Sequence, residues 1–472
     1  MANSKKKLRV CVTGATGFIG SNLLSQLEKR SDIEVVALSR RVDKAMDGAK
    51  KGNVTWRRCN GFCLDEVEEA TKNVDILVYL IHSMLPSSAL AQGCFSDFDL
   101  YLADNFARSA KKNGIKRIIY LSGIIPPDKE LSTHLKSRYE TEKALSEYGN
   151  HLTTLRAGLI VGRNGSSFVI LERLIKRLPA LICPSWTLSK TQPIDISDVM
   201  ASIVYAIDHY EKLDAIYDIA GPDVMTYREM LEITAQVLEK KRPIFNVPLF
   251  SLSLSKLWVS KVTSTGSSLV YPLVDSLRHD MVADKKKQLV LENHAYVSFR
   301  KSLINGIDRR KRGLLHRFMH YNASFSFRWL ENVTSIQRIP LGDDPRSCDT
   351  AQYYFEWLNR FSPVIKVTTE KDKVFIRLAK RKPLLVMARS IEEAGGRIIF
   401  QIIGGMLSRN HSFGGRFEFV PIPSSNCVLV ALVNYQPSLP WFIYKYSQAI
   451  AHLLVTSSFS RYFSQKRRKS SS

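Results

Sequence analysis

The sequence predicts an α/β chain: a doubly wound parallel sheet, then an α+β domain with an antiparallel sheet and a long C-terminal helix. Three observations carry this. Short apolar runs alternate with amphipathic stretches from residue 8 to about 160. A glycine-punctuated turn joins the first run to the first amphipathic stretch. From residue 360 onward, short alternating runs follow one another until a final helical segment. At 472 residues and 45% hydrophobic side chains, the chain has room for two or three cores. The expected division is 1–284, a basic linker with a helix over 285–325, and 326–472.

The first run, "LRVCVTG", is β-branched and reads as a strand. In "GFIGSNLLSQLEKR", Phe18, Ile19, Leu23, Leu24 and Leu27 recur at helical spacing. "EVVAL" is the next strand. Strand, glycine turn, helix and strand make a dinucleotide-binding βαβ unit, the opening of a Rossmann sheet. Gly14 permits the tight turn, Gly17 lets the backbone approach a pyrophosphate, and Gly20 lets the helix pack close to the strand. The helix start then offers free N–H groups and the positive end of its dipole. The expected seat is Gly14, Thr16, Gly17, Phe18, Ile19 and Gly20. At the end of the second strand, NAD sites usually place an acid. Here stand Ser39, Arg40 and Arg41, and arginines pair with a 2′-phosphate. NADP is therefore favoured over NAD.

The alternation continues. "NVTWRRCN" is a strand ending at Asn60, whose amide can hydrogen-bond an adenine. "LDEVEEATKNV" is a helix and "DILVYLIHSM" a strand. "FDLYLADNFARSAKKNG" is an amphipathic helix, and "IKRIIYLSG" a strand ending at Ser122. Ligands lie outside the carboxyl ends of such strands, where Ile81, His82, Ser83, Met84 and Ser122 fall. Tyr139 and Lys143 follow in "HLKSRYETEKAL", four apart and so on one helix face. An ammonium beside a phenol favours its ionised form, and a strand-end serine can hold a carbonyl. Ser122, Tyr139 and Lys143 are thus the candidate catalytic set for carbonyl reduction by hydride. The plain alternative is a charged surface helix.

These motifs, with "LRAGLIVG", "QPIDISDV" and "YDIAGPDVMTY", carry a family resemblance. From residue 9 to about 227 the chain resembles the atypical, extended short-chain dehydrogenases/reductases, closest to YbjT-like NAD(P)H-binding proteins and more distantly NmrA-like ones. The resemblance implies an NAD(P)H-binding Rossmann domain and a cleft lined near Gln192, Pro193 and Ile194. It also implies that some members bind cofactor without turnover. Asp198 reads as the cap of the helix after that segment.

After residue 360, "PVIKVTTE", "KVFIRLAK", "PLLVMARS", "RIIFQIIGG", "GRFEFVPIP" and "CVLVALVNY" read as successive strands. In the closing helix, Lys445, Gln448, His452 and Thr456 mark a polar face, and Trp441, Tyr446, Ile450 and Leu453 an apolar one. A curved sheet gripping a long helix resembles the helix-grip, or START-like, fold. Such folds often enclose an apolar ligand, and others serve only as packing modules.

Seven scattered cysteines without a CxxC pair point to reduced thiols and a cytoplasmic setting. His316 and His320 lack the glutamate of HExxH, so no metal site is expected. No signal peptide or membrane-spanning stretch is expected either. Of the net charge of +24, residues 301–472 carry +16. The plain reading is a solvated basic surface. The sharper one is an anionic membrane surface; no nucleic-acid motif accompanies the charge. The function classes in play are an NADPH-dependent reductase of an apolar carbonyl or quinone-like compound, a non-catalytic nucleotide sensor or assembly factor, and a lipid-binding protein with a regulatory nucleotide domain. The partner expected is a small apolar molecule, with no nucleic acid.

Overall fold

A computed structural model describes residues 7–40, 47–83, 91–127, 130–247, 252–264, 267–312, 332–341, 350–378, 382–390, 396–409 and 414–470. Arg41, Met84, His316 and His320 lie outside them. The chain divides into two compact units: Met1–Leu85 with Phe106–Ala323, and Pro86–Asn105 with Ser324–Ser472.

The first unit is built on β1 (Leu8–Val12), α1 (Phe18–Leu27), β2 (Ile33–Ser39), β3 (Val54–Arg58), β4 (Ile76–Tyr79), the part of α2 (Phe95–Asn113) from Phe106 onward, β5 (Arg117–Gly123), α3 (Thr133–Leu145), β6 (Leu152–Ala157), α4 (Ile196–Asp208), β7 (Ile216–Ile219) and α5 (Phe299–Arg312). The strands order as β7-β6-β5-β4-β1-β2-β3, all parallel, and Lys50–Lys51 adds a short antiparallel edge. Strand order reverses between β1 and β4, the crevice where doubly wound sheets take ligands. Val10, Val12, Val78 and Ile119 from the strands pack with Leu23 and Leu27 of α1 and with Val199 and Ile203 of α4. On the other face Tyr79 meets Phe106 of α2 and Tyr120 of β5, so both faces are covered, as near-continuous apolar strands require.

Two sequence readings change here. Asp195, not Asp198, caps α4, accepting the Ser197 N–H at 2.7 Å. Asp198 is fully buried and instead accepts from His294 Nε2 at 2.9 Å and Val297 N–H at 3.0 Å. Burial raises its carboxyl above the ordinary range despite these bonds. The stretch after 284 is also more than a linker, since Phe299 and Leu303 of α5 bury in a core with Phe168 and Met230.

The second unit holds β8 (Val333–Pro340), α6 (Thr350–Phe361), β9 (Ile365–Glu370), β10 (Lys373–Leu378), β11 (Pro383–Arg389), β12 (Ile398–Gly404), β13 (Arg416–Ile422), β14 (Cys427–Tyr435) and α7 (Gln448–Ser470). Its order is β9-β10-β11-β12-β13-β14-β8, antiparallel throughout, with Ala91–Gln92 pairing parallel to β8 at the edge. Tyr354 and Trp357 of α6 meet Phe417 and Phe419 of the sheet and Phe459 of α7. This is an antiparallel sheet with helices packed on it.

The closing helix corrects the sequence in two ways. Trp441–Tyr446 is a separate short helix, ended at Ser447 by φ −129° and ψ −85°. The faces also differ from that reading: Thr456 of α7 is buried, whereas Ile450 of α7 and Tyr446 of the short helix are 45% and 73% exposed. The reason lies in the partner strand. Ser335 of β8 stands 3.3 Å from His452 Nδ1, so the sheet supplies the polar face with a hydrogen-bonding group.

Candidate functional site

The site grows from the loop after β1. Thr13, fully buried, accepts the Leu80 N–H at 2.9 Å and donates to the Val78 carbonyl at 3.3 Å, tying the glycine turn to the end of β4. Gly14 holds φ +61°, and a Cβ there would lie 3.2 Å from the Leu80 carbonyl oxygen. A side chain is costly in that left-handed region. A Cβ on Gly20 would sit 2.8 Å from Ala15 Cα. Gly17 is the N-cap of α1 and accordingly offers no side-chain cap, and no acid stands in the first turn. Thr16 and Gly17 are exposed. The result is a helix start with open N–H groups and an unneutralised dipole end, which suits a phosphate. Phe18 leans toward a second glycine pair: a Cβ on Gly165 would be 2.9 Å from its Cε1, and one on Gly162 3.1 Å from its Cζ. Ile19 is half-buried in the same turn.

Ser39 closes β2, buried, and Arg40 follows it, exposed. Asn60 uses its side-chain oxygen locally, accepting the Phe62 N–H at 3.3 Å in a short turn. Ile81 and His82 follow β4, each half-buried. Ser122, at the end of β5, is 5% exposed, and its Oγ has no hydrogen-bond partner among the described residues. A buried hydroxyl without a partner costs stability and is therefore a position from which a ligand can be held.

Helix α3 carries two of the three expected catalytic residues. Ser132 caps it, accepting the Leu135 N–H. Its inner face is set by Leu135, Arg138, Glu142 and Leu145, all buried. Arg138 donates to the Leu121 carbonyl on β5 and lies 4.9 Å over the Tyr120 ring. Glu142 pairs with Arg156 of β6 at 2.8 Å. Tyr139 and Lys143 fall 100° further round, on an exposed stripe with Lys136. They do meet each other, with Lys143 Nζ 4.5 Å over the tyrosine ring, but neither is hydrogen-bonded to Ser122. The pair at the same i, i+4 spacing that does address the strand ends is His134 and Arg138. The His134 ring lies 5.1 Å from that of His82, just beyond β4. The sequence carried a signal for this: a stripe drawn through Leu135 and Leu145 leaves Tyr139 outside it.

The segment expected to line a cleft is built into the core instead. Ile194 is buried. Gln192 donates to the Gly221 carbonyl at 2.8 Å and accepts the Ala283 N–H at 3.1 Å, so its amide is consumed in bracing two segments.

Comparison with known proteins agrees with this geometry. Residues 14–170 match the NAD(P)H-binding family. The auxiliary protein GraX of Staphylococcus aureus is 33% identical over 152 residues, 31% of this chain and 43% of that protein. The mitochondrial NADH dehydrogenase [ubiquinone] 1 alpha subcomplex subunit 9 of Arabidopsis thaliana is 25% identical over 236 residues, 48% of this chain and 58% of that protein. The chain thus spans about half the length of these curated relatives. Triphenylmethane reductase from Citrobacter sp. superimposes with a TM-score of 0.51 at 16% identity, over 64% of this chain and 100% of that one, a likeness of fold. The resemblance to atypical short-chain dehydrogenases/reductases read from the sequence fits these matches.

Proposed function

We propose that the NAD(P)H-binding domain takes NADPH and reduces an apolar carbonyl or quinone-like compound. The observation that carries this reading is the uncapped start of α1 at Gly17 together with the buried, unpartnered Ser122 hydroxyl at a neighbouring strand end. The diphosphate would rest on the N–H groups after Gly17, and Arg40 supports a 2′-phosphate over a bare ribose. When bound, the nicotinamide supplies a hydride. Ser122 Oγ donates a hydrogen bond to the carbonyl oxygen as charge develops on it. His134, rather than Tyr139, delivers the proton to that oxygen, because its face of α3 is the one turned to the strand ends. Fluorescence titration with NADPH and NADH tests the cofactor. A tenfold preference for NADPH, lost in Arg40→Ala, is expected, which is ~1.4 kcal/mol. Equal affinity for both would remove the arginine's role, and no affinity for either would end the proposal.

One observation favours a second reading, a nucleotide-responsive auxiliary protein without turnover. The Tyr139–Lys143 pair lies on the solvent stripe, and relatives bear names of an auxiliary protein and a subunit of a larger assembly. NADPH consumption over a panel of quinones and aldehydes separates the two: none would leave binding as the function.

A further inference from the structure

The second unit turns an apolar strip outward, and we propose that this strip docks the unit on an anionic lipid surface. Helix α7 buries Ala449, Thr456, Phe459 and Phe463. Across the helix, Ile450 and Leu454 stand 45% and 61% exposed. They are four residues apart and share one face. The same register brings Ser457 and Arg461, both exposed. On the flank, the Tyr462 ring centroid lies 6.3 Å from that of Trp357 on α6. Phe361, at the end of α6, lies with its ring centroid 4.5 Å from that of the same tryptophan and is still 45% exposed. Val364, just beyond, is 47% exposed. Scattered apolar side chains on a surface need no explanation, but a gathered strip marks a contact face.

Charge chooses the occupant. No aspartate or glutamate occurs after Glu418, while the same stretch carries Lys445, Arg461, Lys466, Arg467, Arg468 and Lys469. The last four sit in the closing turns of α7. Apolar and aromatic residues on one helix, with cations at its end, are the parts of an interfacial helix. The former enter the headgroup and acyl boundary, and the latter meet phosphates and carboxylates. A nucleic acid would satisfy the cations but give Ile450 and Leu454 nothing to enter. No helix among the described residues is long and apolar enough to cross a membrane, so α7 would lie along the surface.

The test is co-sedimentation of the full chain with vesicles of phosphatidylcholine alone and of phosphatidylcholine with phosphatidylserine. Expected are at least tenfold tighter binding to the anionic vesicles and only partial release by high salt. Binding should fall at least tenfold in Ile450→Asp with Leu454→Asp, and also in Lys466→Glu with Arg467→Glu, Arg468→Glu and Lys469→Glu. Ile450 and Leu454 are exposed, so the thermal midpoint of their variant should match that of the parent; Leu454→Ser is the milder second variant. Four outcomes would each overturn the proposal: equal or absent binding to the two vesicle types, full binding by the Ile450/Leu454 variant, tighter binding to duplex DNA or RNA than to vesicles, or a solution dimer that the aspartate substitutions split.

Discussion

Gly20 packs so closely on the carbonyl oxygen of Gly14 that an added Cβ would overlap it. The atoms it would meet belong to the backbone of the phosphate-facing turn, so they cannot step aside as a flexible side chain would. Gly20→Ala should therefore push α1 away from β1 and weaken NADPH binding at least tenfold, ~1.4 kcal/mol or more. Gly14→Ala acts differently, through the φ of +61°, at about 1–2 kcal/mol. Nucleotide titration and thermal unfolding of both variants check this. The Gly20 change should cost more affinity than stability.

Tyr139→Phe and His134→Phe form a contrasting pair. Tyr139 is 37% exposed on a stripe with Lys136 and Lys143, so removing its hydroxyl should leave kcat for a reducible quinone within about twofold. His134 faces His82, and its loss should lower kcat by about 10²-fold or more while leaving NADPH affinity in place. Steady-state kinetics with separate measurement of cofactor binding decides it. The reverse pattern would restore the proton donor that the sequence spacing alone suggests.

What the sequence could reveal depended on how local the determining interactions were. The glycine turn is written within a dozen residues, because Gly14, Gly17 and Gly20 answer constraints set by their immediate neighbours. The face of α3 is not, since YxxxK spacing says that Tyr139 and Lys143 share a side but not which side. That side is chosen by Arg138 reaching the Leu121 carbonyl and Glu142 reaching Arg156, two partners on other strands. The same holds for α7. Hydrophobicity alone would turn Gln448, His452 and Thr456 outward, but Ser335, over a hundred residues away, receives His452. Nor does any pattern near residue 91 announce that Ala91–Gln92 will extend the sheet at β8.

Within the second unit, Arg397 and Glu418 are buried completely and paired. Tyr101 donates to Glu418 at 2.5 Å, and Arg397 donates to Tyr101 at 2.8 Å and to Asn105 at 2.7 Å. The network fastens Tyr101 and Asn105 of the inserted segment to the sheet. Breaking one partner of a buried pair strands the other charge, so Glu418→Gln should cost about 3–5 kcal/mol. Replacing both, as Arg397→Met with Glu418→Leu, should cost less than Glu418→Gln alone, because neither member of the pair is left behind as an unmatched charge. Urea unfolding of the three proteins measures the order, and a double variant weaker than the single one would show that the pair stabilises the unit outright.

His452 makes the second unit sensitive to acid. Burial of its ring pushes its pKa down to about 4, and the neighbours found for it, Ser335 Oγ and the Phe417 ring, bring no negative charge to offset that. In the unfolded chain the ring titrates near 6.5, so below that pH the unfolded state binds a proton that the folded state refuses. Stability from this group is present above the unfolded pKa and declines as pH falls toward the folded one. A shift of this size corresponds to about 3 kcal/mol when fully expressed. His452→Gln keeps a hydrogen-bonding side chain but cannot titrate. The parent protein should therefore lose more thermal stability between about pH 7 and about pH 5 than the variant does. Calorimetry at the two pH values measures the difference. Identical losses would mean that water reaches the ring and that α7 is packed less tightly on β8 than Ser335 and His452 indicate.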